Sequence, residues 1–300
     1  MLSICIPVYN HSIVSLVHTL HRQCLSCSIP FEIICLDDDS AIFFKEKNRS
    51  IISFAEVTYE ELDKNVGRAV IRNLLAQKAE FNHILYVDSD VLIASDNFIS
   101  SYLNCIRQGI AVVIGGILYD AGSVTSNTRL HYTYGTSRES RAAAYRKKSP
   151  YASFLTGNLL VEKKIVEEIK FLPSLKDYGH EDTLFCIELK KRSIPVKHID
   201  NPVIHEGLET NEVFVDKHLT AVRTLSSLIL QGYDMSGISL YEAYRMLKKY
   251  FLSGIFIFCL RPFRKKIHQS LISGRSNSLL LFDTLRLYEL CIELKKSQKS

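Results

Sequence analysis

Five short apolar runs rich in β-branched residues, at 4–9, 31–36, 51–57, 84–87 and 111–116, alternate with stretches of helical period. Residues 11–23 set Ile13, Leu16, Val17 and Leu20 on one helical face, and 67–79 and 97–108 repeat that period. Strands without polar alternation, separated by helices, bury both faces, so the pattern predicts an α/β fold with a mostly parallel central sheet covered on both sides. A strand-like run at 154–161, helices near 163–170 and 181–191, and an extended piece at 203–205 continue it. From about 216 the chain reads as helical nearly to its end. Two regions are therefore expected, 1–215 with the sheet and 216–300 as a C-terminal helical extension.

The stretch 119–151 has no clear period, is rich in Arg, Ser, Tyr and Lys, and is expected to be a long mobile loop. At 300 residues, 47% hydrophobic and 23% charged, the chain is neither disordered nor fibrous. The eight cysteines include one C-x-x-C, Cys24 and Cys27, with no second pair at zinc spacing, so all are read as reduced packing residues. The apolar start lacks a basic leader and a cleavage site, which implies a cytoplasmic protein.

In open α/β sheets ligands bind beyond the carboxyl ends of the strands, and here those positions are acidic. Asp88 and Asp90 follow the run at 84–87. Carboxylates at i and i+2 point to one side and can share a cation such as Mg²⁺ or Mn²⁺, or simply form an acidic turn. Asp37, Asp38 and Asp39 crowd three like charges after 31–36, either as turn formers or as the floor of a pocket for a polar base and ribose. Arg68 and Arg72 share one helical face and can meet phosphates or surface carboxylates. Glu181 and Asp182 stand in the first turn of a helix, where carboxylates also compensate the dipole. His205 follows 203–204 as a lone histidine or as part of a transition-metal site. No G-x-G-x-x-G follows the first strand, which argues against a dinucleotide-binding dehydrogenase. No Gly-rich N-terminal loop cradles phosphate, which argues against a sugar nucleotidyltransferase.

In order, Ser3-Ile4-Cys5-Ile6-Pro7-Val8-Tyr9-Asn10, Leu36-Asp37-Asp38-Asp39-Ser40, Asn65 with Gly67 through Arg72-Asn73, Tyr86-Val87-Asp88-Ser89-Asp90, Thr156-Gly157-Asn158, Gly179-His180-Glu181-Asp182 and His205 resemble the inverting glycosyltransferases of family 2 with the GT-A fold. The resemblance covers about residues 1–208. It implies that Pro7, Val8 and Tyr9 line a nucleotide pocket with Asp38 accepting from the base, and that Arg72 lies near the nucleotide or its phosphates. It further implies Asp90 and His205 as metal ligands, Asp88 at the ribose or a metal-bound water, and Gly157 and Asn158 shaping the donor-sugar site. Asp182 would be the general base, with Glu181 orienting the acceptor or Asp182 itself.

The resemblance thus implies Mn²⁺ or Mg²⁺ as cofactor, a nucleoside-diphosphate sugar as donor, UDP-linked by family habit, and a glycan or lipid-linked glycan as acceptor. A catalytically silent nucleotide-sugar-binding scaffold is the competing reading. Asp39 departs from the family, which usually carries a small residue there. It either alters base preference or faces solvent.

Charge is unevenly spread: residues 217–300 carry 14 Lys and Arg against 5 Asp and Glu, whereas 1–216 carry 23 against 27. The apolar run 250–260 is too short to span a bilayer, which needs about 20 residues. Flanked by cations, the segment 245–275 is suited to the surface of an anionic membrane, on the inner face of the cell membrane. Packing as a subdomain or as an oligomer contact is the alternative. No nucleic-acid partner is expected.

Overall fold

Leu2–Val8 is a seven-residue strand (β1) whose even positions enter one apolar layer and whose Cys5 enters another. That division by the two-residue pleat organises the whole sheet in the computed structural model, which describes residues 1–122, 124–152, 154–175 and 178–296. After helix α1 (Val14–Ser26), β2 (Phe31–Asp37) lies parallel to β1, with Val8 opposite Asp37. Helix α2 (Ile42–Asn48) and a 3₁₀ turn lead to β3 (Val57–Glu61), parallel to β2. Helix α3 (Arg68–Lys78) then carries the chain back to β4 (His83–Val87) on the other side of β1.

The order of the larger sheet is completed by β6 (Val112–Ile114), β8 (Asn158–Glu162) and β9 (Lys197–His198), and reads β3-β2-β1-β4-β8-β6-β9 among the described residues. Only β8 runs against its neighbours. A small second sheet pairs β10 (Val203–His205) with β5 (Val91–Leu92) and β7 (Ile117–Tyr119).

One apolar layer joins Ile4, Ile6, Ile33, Leu85 and Val113 to α1 and to α4 (Phe98–Arg107). The other joins Cys5, Ile34, Tyr86, Leu159 and Val161 to α3, α7 (Lys163–Ile169) and α8 (Glu181–Lys191). Each fully buried aliphatic side chain contributes about 1.5–3 kcal/mol, so burial on both faces fixes the register of every inner strand. The order reverses between β1 and β4, and this opens the crevice in which such sheets bind ligands.

The run 51–57, expected as a strand, is instead the 3₁₀ turn Arg49–Ser53 followed by β3 from Val57. β3 is an edge strand of alternating exposure, so it needs no continuous apolar run. The expected loop 119–151 holds two short helices, α5 (Arg129–Tyr134) and α6 (Ala143–Arg146), joined by a π turn.

The chain divides into two compact units, one of Met1–Asp120, Glu139–Lys176 and Glu181–Gly207, the other of Ala121–Arg138, Asp177–His180 and Leu208–Ser300. The second unit is helical, with α9 (Asn211–Leu230), α10 (Ser239–Lys249), α11 (Ser253–Leu260), α12 (Arg264–Ile272) and α13 (Leu279–Lys296). Its core packs Leu130 of α5 with Phe214, Val215, Leu219, Leu271, Phe282 and Leu285. Thr210 caps α9 by accepting from the Val213 amide. All eight cysteines are free thiols, most of them buried.

Candidate functional site

The ends of β1, β2 and β4 border the crevice, and the last two carry acidic residues. At the end of β1, Pro7 is half-buried, Val8 buried and Tyr9 55% exposed. At the end of β2, Asp37 accepts from the Ser40 amide (2.7 Å) and the Tyr59 hydroxyl (2.8 Å). Asp38 accepts from the amides of Val66 (2.6 Å) and Gly67 (3.0 Å), which fastens the strand end to the turn that starts α3. Burial pushes the Asp38 carboxyl up while those two amides pull it down. Gly67 has φ +85°, a conformation glycine reaches without strain. Asp39 reaches Lys45 (3.0 Å), which pairs its extra charge, although that charge still adds slightly to the rise at Asp38.

Arg72, on the buried face of α3, is the electrostatic centre. Its side chain is 3% exposed and lies 3.0 Å from Asp88, 3.6 Å from Glu181 and 4.0 Å from Asp182. Burial pulls its pKa down, and Asp88, Asp182 and Glu181 more than restore it. Its Nη2 donates to Asp88 and the guanidinium lies 5.8 Å from the centre of the Phe171 ring, while Nε and Nη1 are buried without a hydrogen-bond partner among the described residues, Nη1 facing Glu181 and Asp182 as an ion pair. The α3 register predicted from sequence sets Arg68 one turn earlier, 3.8 Å from Glu181.

Glu181 and Asp182 share the first turn of α8 but not an environment. Glu181 is buried between the two arginines. Asp182 is more open, 26% exposed, and is gripped by Thr156 through its amide (3.1 Å) and hydroxyl (2.7 Å). Burial and the adjacent Glu181 carboxylate raise the Asp182 pKa to about 6, against the pull of Arg72 and Thr156. Such a carboxylate is a better proton acceptor than an ordinary one and is still ionised near neutral pH.

Gly157 follows Thr156, and a Cβ there would stand 2.4 Å from an Asp88 oxygen. Its carbonyl accepts from the Asp88 amide (3.1 Å). Asn158 is buried rather than facing the crevice. Its amide donates to the carbonyls of Gly116 (2.8 Å) and Asn201 (2.9 Å) and its oxygen accepts from the Tyr102 hydroxyl, so every polar atom of the side chain is used inside the fold.

Asp90 and His205 meet because β10 pairs with β5, His205 opposite Val91. The His205 Nε2 lies 3.7 Å from Asp90 Oδ2, and the Glu206 amide donates to the Asp90 carbonyl (2.8 Å). Among the described residues no cluster of three or more His, Cys, Asp or Glu side chains is arranged for a metal ion. An oxygen and an imidazole nitrogen form a donor pair that fits Mn²⁺ with its remaining positions filled from elsewhere.

Behind His205 stands a pair that the sequence did not reveal. Tyr119 stacks on the imidazole (centroids 5.2 Å, 13° between planes) and donates to Glu139, whose carboxyl is pushed up by burial. Both residues belong to the aperiodic stretch that holds no motif. No local signal marks them; the pairing of β7 with β10 sets Tyr119 directly across from His205.

The sequence model described as Glycosyl transferase family 2 matches residues 3–169. A protein of Haemophilus influenzae described as an uncharacterized glycosyltransferase is 29% identical over 261 residues, 78% of this chain and 96% of that protein. Among solved structures, S. aureus TarS 1-349 in complex with UDP-GlcNAc superposes with a TM-score of 0.53 at 15% identity, over 99% of this chain and 91% of that one. Mannosyltransferase PcManGT from Pyrobaculum calidifontis, in complex with GDP-Man and Mn2+, gives 0.59 at 11% identity, over 100% and 87%. At these identities the structural likeness speaks for the fold.

Proposed function

The chain belongs to glycosyl transferase family 2, and on that premise we propose that it transfers a hexosyl group with inversion from a nucleoside-diphosphate sugar, UDP-linked by preference, to a hydroxyl of a glycan or lipid-linked glycan. The observation that carries this reading is Asp182, a half-open carboxylate of raised proton affinity, fixed by Thr156 beside the buried Arg72.

Asp182 takes the proton of the acceptor hydroxyl as its oxygen attacks the anomeric carbon. The bond from that carbon to the diphosphate breaks on the opposite face, and the electron pair leaves with the phosphate oxygen. One displacement inverts the carbon and needs no covalent nucleophile. Arg72 holds Asp88 in place and offsets the crowd of carboxylates. Glu181, buried against Arg68 and Arg72, raises the basicity of Asp182.

Asp90 and His205 would hold the Mn²⁺ or Mg²⁺, completed by donor oxygens and water, and the ion would stabilise the charge of the departing diphosphate. Pro7, Val8 and Tyr9 border the nucleotide. Asp38, with an amide on each oxygen, keeps spare lone pairs for the base while bracing the pocket wall. Gly157 admits the donor sugar beside Asp88, and Asn158 acts by fixing the backbone around it.

An acceptor carried on a lipid brings such an enzyme to the cytoplasmic face of a membrane, peripherally through 245–275. Residues 1–215 are the catalytic part and 216–300 the basic helical part of this reading. A thermal-shift panel of nucleoside diphosphates and nucleotide sugars, with and without Mn²⁺, on wild type and Asp90→Ala tests the donor site. A metal-dependent shift for one nucleotide, lost in Asp90→Ala, supports it. No shift with any nucleotide favours a different function.

A further inference from the structure

Helix α11 has the sequence SGIFIFCL, and none of its residues is buried. Around it Phe251 is 89% exposed, Phe258 79%, and Ile255, Phe263 and Met246 between 57% and 62%. Several large apolar side chains exposed within one short segment mark a surface that meets another molecule. Its chemical setting narrows the use. Between Glu242 and Asp283 the sequence holds no acidic residue and eight Lys and Arg. Two of those are neutralised within the unit, Arg245 by Glu242 and Arg264 by Glu289. Lys248, Lys249, Arg261, Lys265 and Lys266 are exposed and flank α11 in sequence on both sides.

The tip has a second peculiarity. Phe251 follows the end of α10 with φ +57°, the Leu252 amide donating to the Leu247 carbonyl (2.8 Å) and the Phe251 amide to that of Lys248 (3.1 Å). These bonds close a helix in the manner that normally selects glycine. A bulky aromatic in that conformation is disfavoured locally, and here its side chain makes up for it with no packing, being the most exposed of the large apolar residues. The backbone position favours glycine, yet the chain places a fully displayed aromatic ring there.

We infer that the α10–α11 elbow is a membrane-docking wedge, in which Phe251, Ile255, Phe258 and Phe263 enter the interface of an anionic bilayer while Lys248, Lys249, Arg261, Lys265 and Lys266 meet its phosphates. A helix of eight residues reaches about 12 Å, so insertion is shallow, and among the described residues no helix is long and apolar enough to cross a membrane. A second copy of the chain fits less well. A two-fold contact through this face would set five cations that have no ion pair among the described residues against their own images, whereas a sheet of anionic headgroups neutralises them. The inference stands on the helical unit alone and does not depend on the transferase reading.

Flotation of the full chain with vesicles of phosphatidylcholine, and of phosphatidylcholine with phosphatidylglycerol, tests it. Wild type rises with the anionic vesicles at low salt and not with the neutral ones. Phe251→Gly combined with Phe258→Ser lowers the bound fraction about tenfold or more, while the thermal midpoint stays level or rises, because glycine suits the Phe251 backbone. Lys265→Glu with Lys266→Glu also releases the protein without lowering the midpoint, because carboxylates suit the first turn of α12. Wild type that stays at the bottom of the gradient with anionic vesicles overturns the proposal. So does undiminished flotation of both variants, or a concentration-dependent dimer that the same substitutions dissolve, which would assign the face to a second copy. Nucleoside-diphosphate release in detergent-free solution, measured alongside, separates this result from the fate of the catalytic reading.

Discussion

Replacing Asp182 by asparagine should remove activity and, above pH 6, make the protein more stable. Asp182 carries a pKa of about 6, against about 4 for a carboxyl in an unfolded chain. Below pH 4 both states hold the proton and the residue is neutral in its effect. Between 4 and 6 the unfolded chain ionises while the folded one keeps its proton, so stability falls as pH rises, and above 6 the whole cost is present, about 3 kcal/mol. Asparagine removes that cost. It also gives up one of the two Thr156 hydrogen bonds, since its amide oxygen can accept only in place of one carboxylate oxygen, a loss of about 1–1.5 kcal/mol. The net gain at pH 8 is about 1–2 kcal/mol, or roughly 2–6 °C in the midpoint of a unit this size. Arg72 keeps Asp88 and Glu181, so no buried cation is stranded. Differential scanning fluorimetry of both proteins from pH 4 to pH 8 reads the effect, with the variant above wild type at pH 8 and slightly below it at pH 4. The same substitution should lower kcat by about 10²–10⁴-fold. A variant that melts below wild type at pH 8, or a difference that does not change with pH, refutes the electrostatic account of this residue.

The kcat/KM of wild type should climb as pH rises through about 6 and then level, as Asp182 loses its proton; a steady-state profile that is flat from pH 5 to pH 8 contradicts this. Gly157→Ala puts a methyl 2.4 Å from an Asp88 oxygen and must swing that carboxylate off Arg72, so KM for the donor should rise about tenfold with the midpoint little altered, as donor titrations would record. Arg72→Met removes the buried cation from between three carboxylates and should cost about 3–5 kcal/mol, visible as a lowered urea midpoint or as failure to fold.

The sheet was legible because burial on both faces makes its inner strands almost wholly apolar, with buried polar residues such as Asp37 and Asn158 confined to strand ends, and α8 was predicted at its observed bounds. β3 was not, since an edge strand of alternating exposure looks unlike its neighbours, and the apolar pair Ile51-Ile52 drew the reading one turn too early. α5 and α6 span six and four residues, too few for a helical period to declare itself. At the site, residue types and order were readable, but the loads on the side chains were not. Asn158 reads as a sugar contact until Gly116, Asn201 and Tyr102 are seen to use every polar atom it has. Partners more than forty residues away leave no local trace. Tyr119 and Glu139 went unnoticed for the same reason, since only the pairing of β7 with β10 brings them to His205.

Transfer from an activated sugar with Asp182 as the base is tested most directly by nucleoside-diphosphate release from a panel of nucleotide sugars with glycan and lipid-extract acceptors. The measurement is made on wild type and Asp182→Asn, with Mn²⁺ and with a chelator. The account expects release by wild type only with the cation, and an Asp182→Asn protein that still binds the donor by thermal shift yet turns over at least a hundredfold more slowly. Release that persists unchanged in Asp182→Asn, or none from any donor and acceptor pair in wild type, would contradict it.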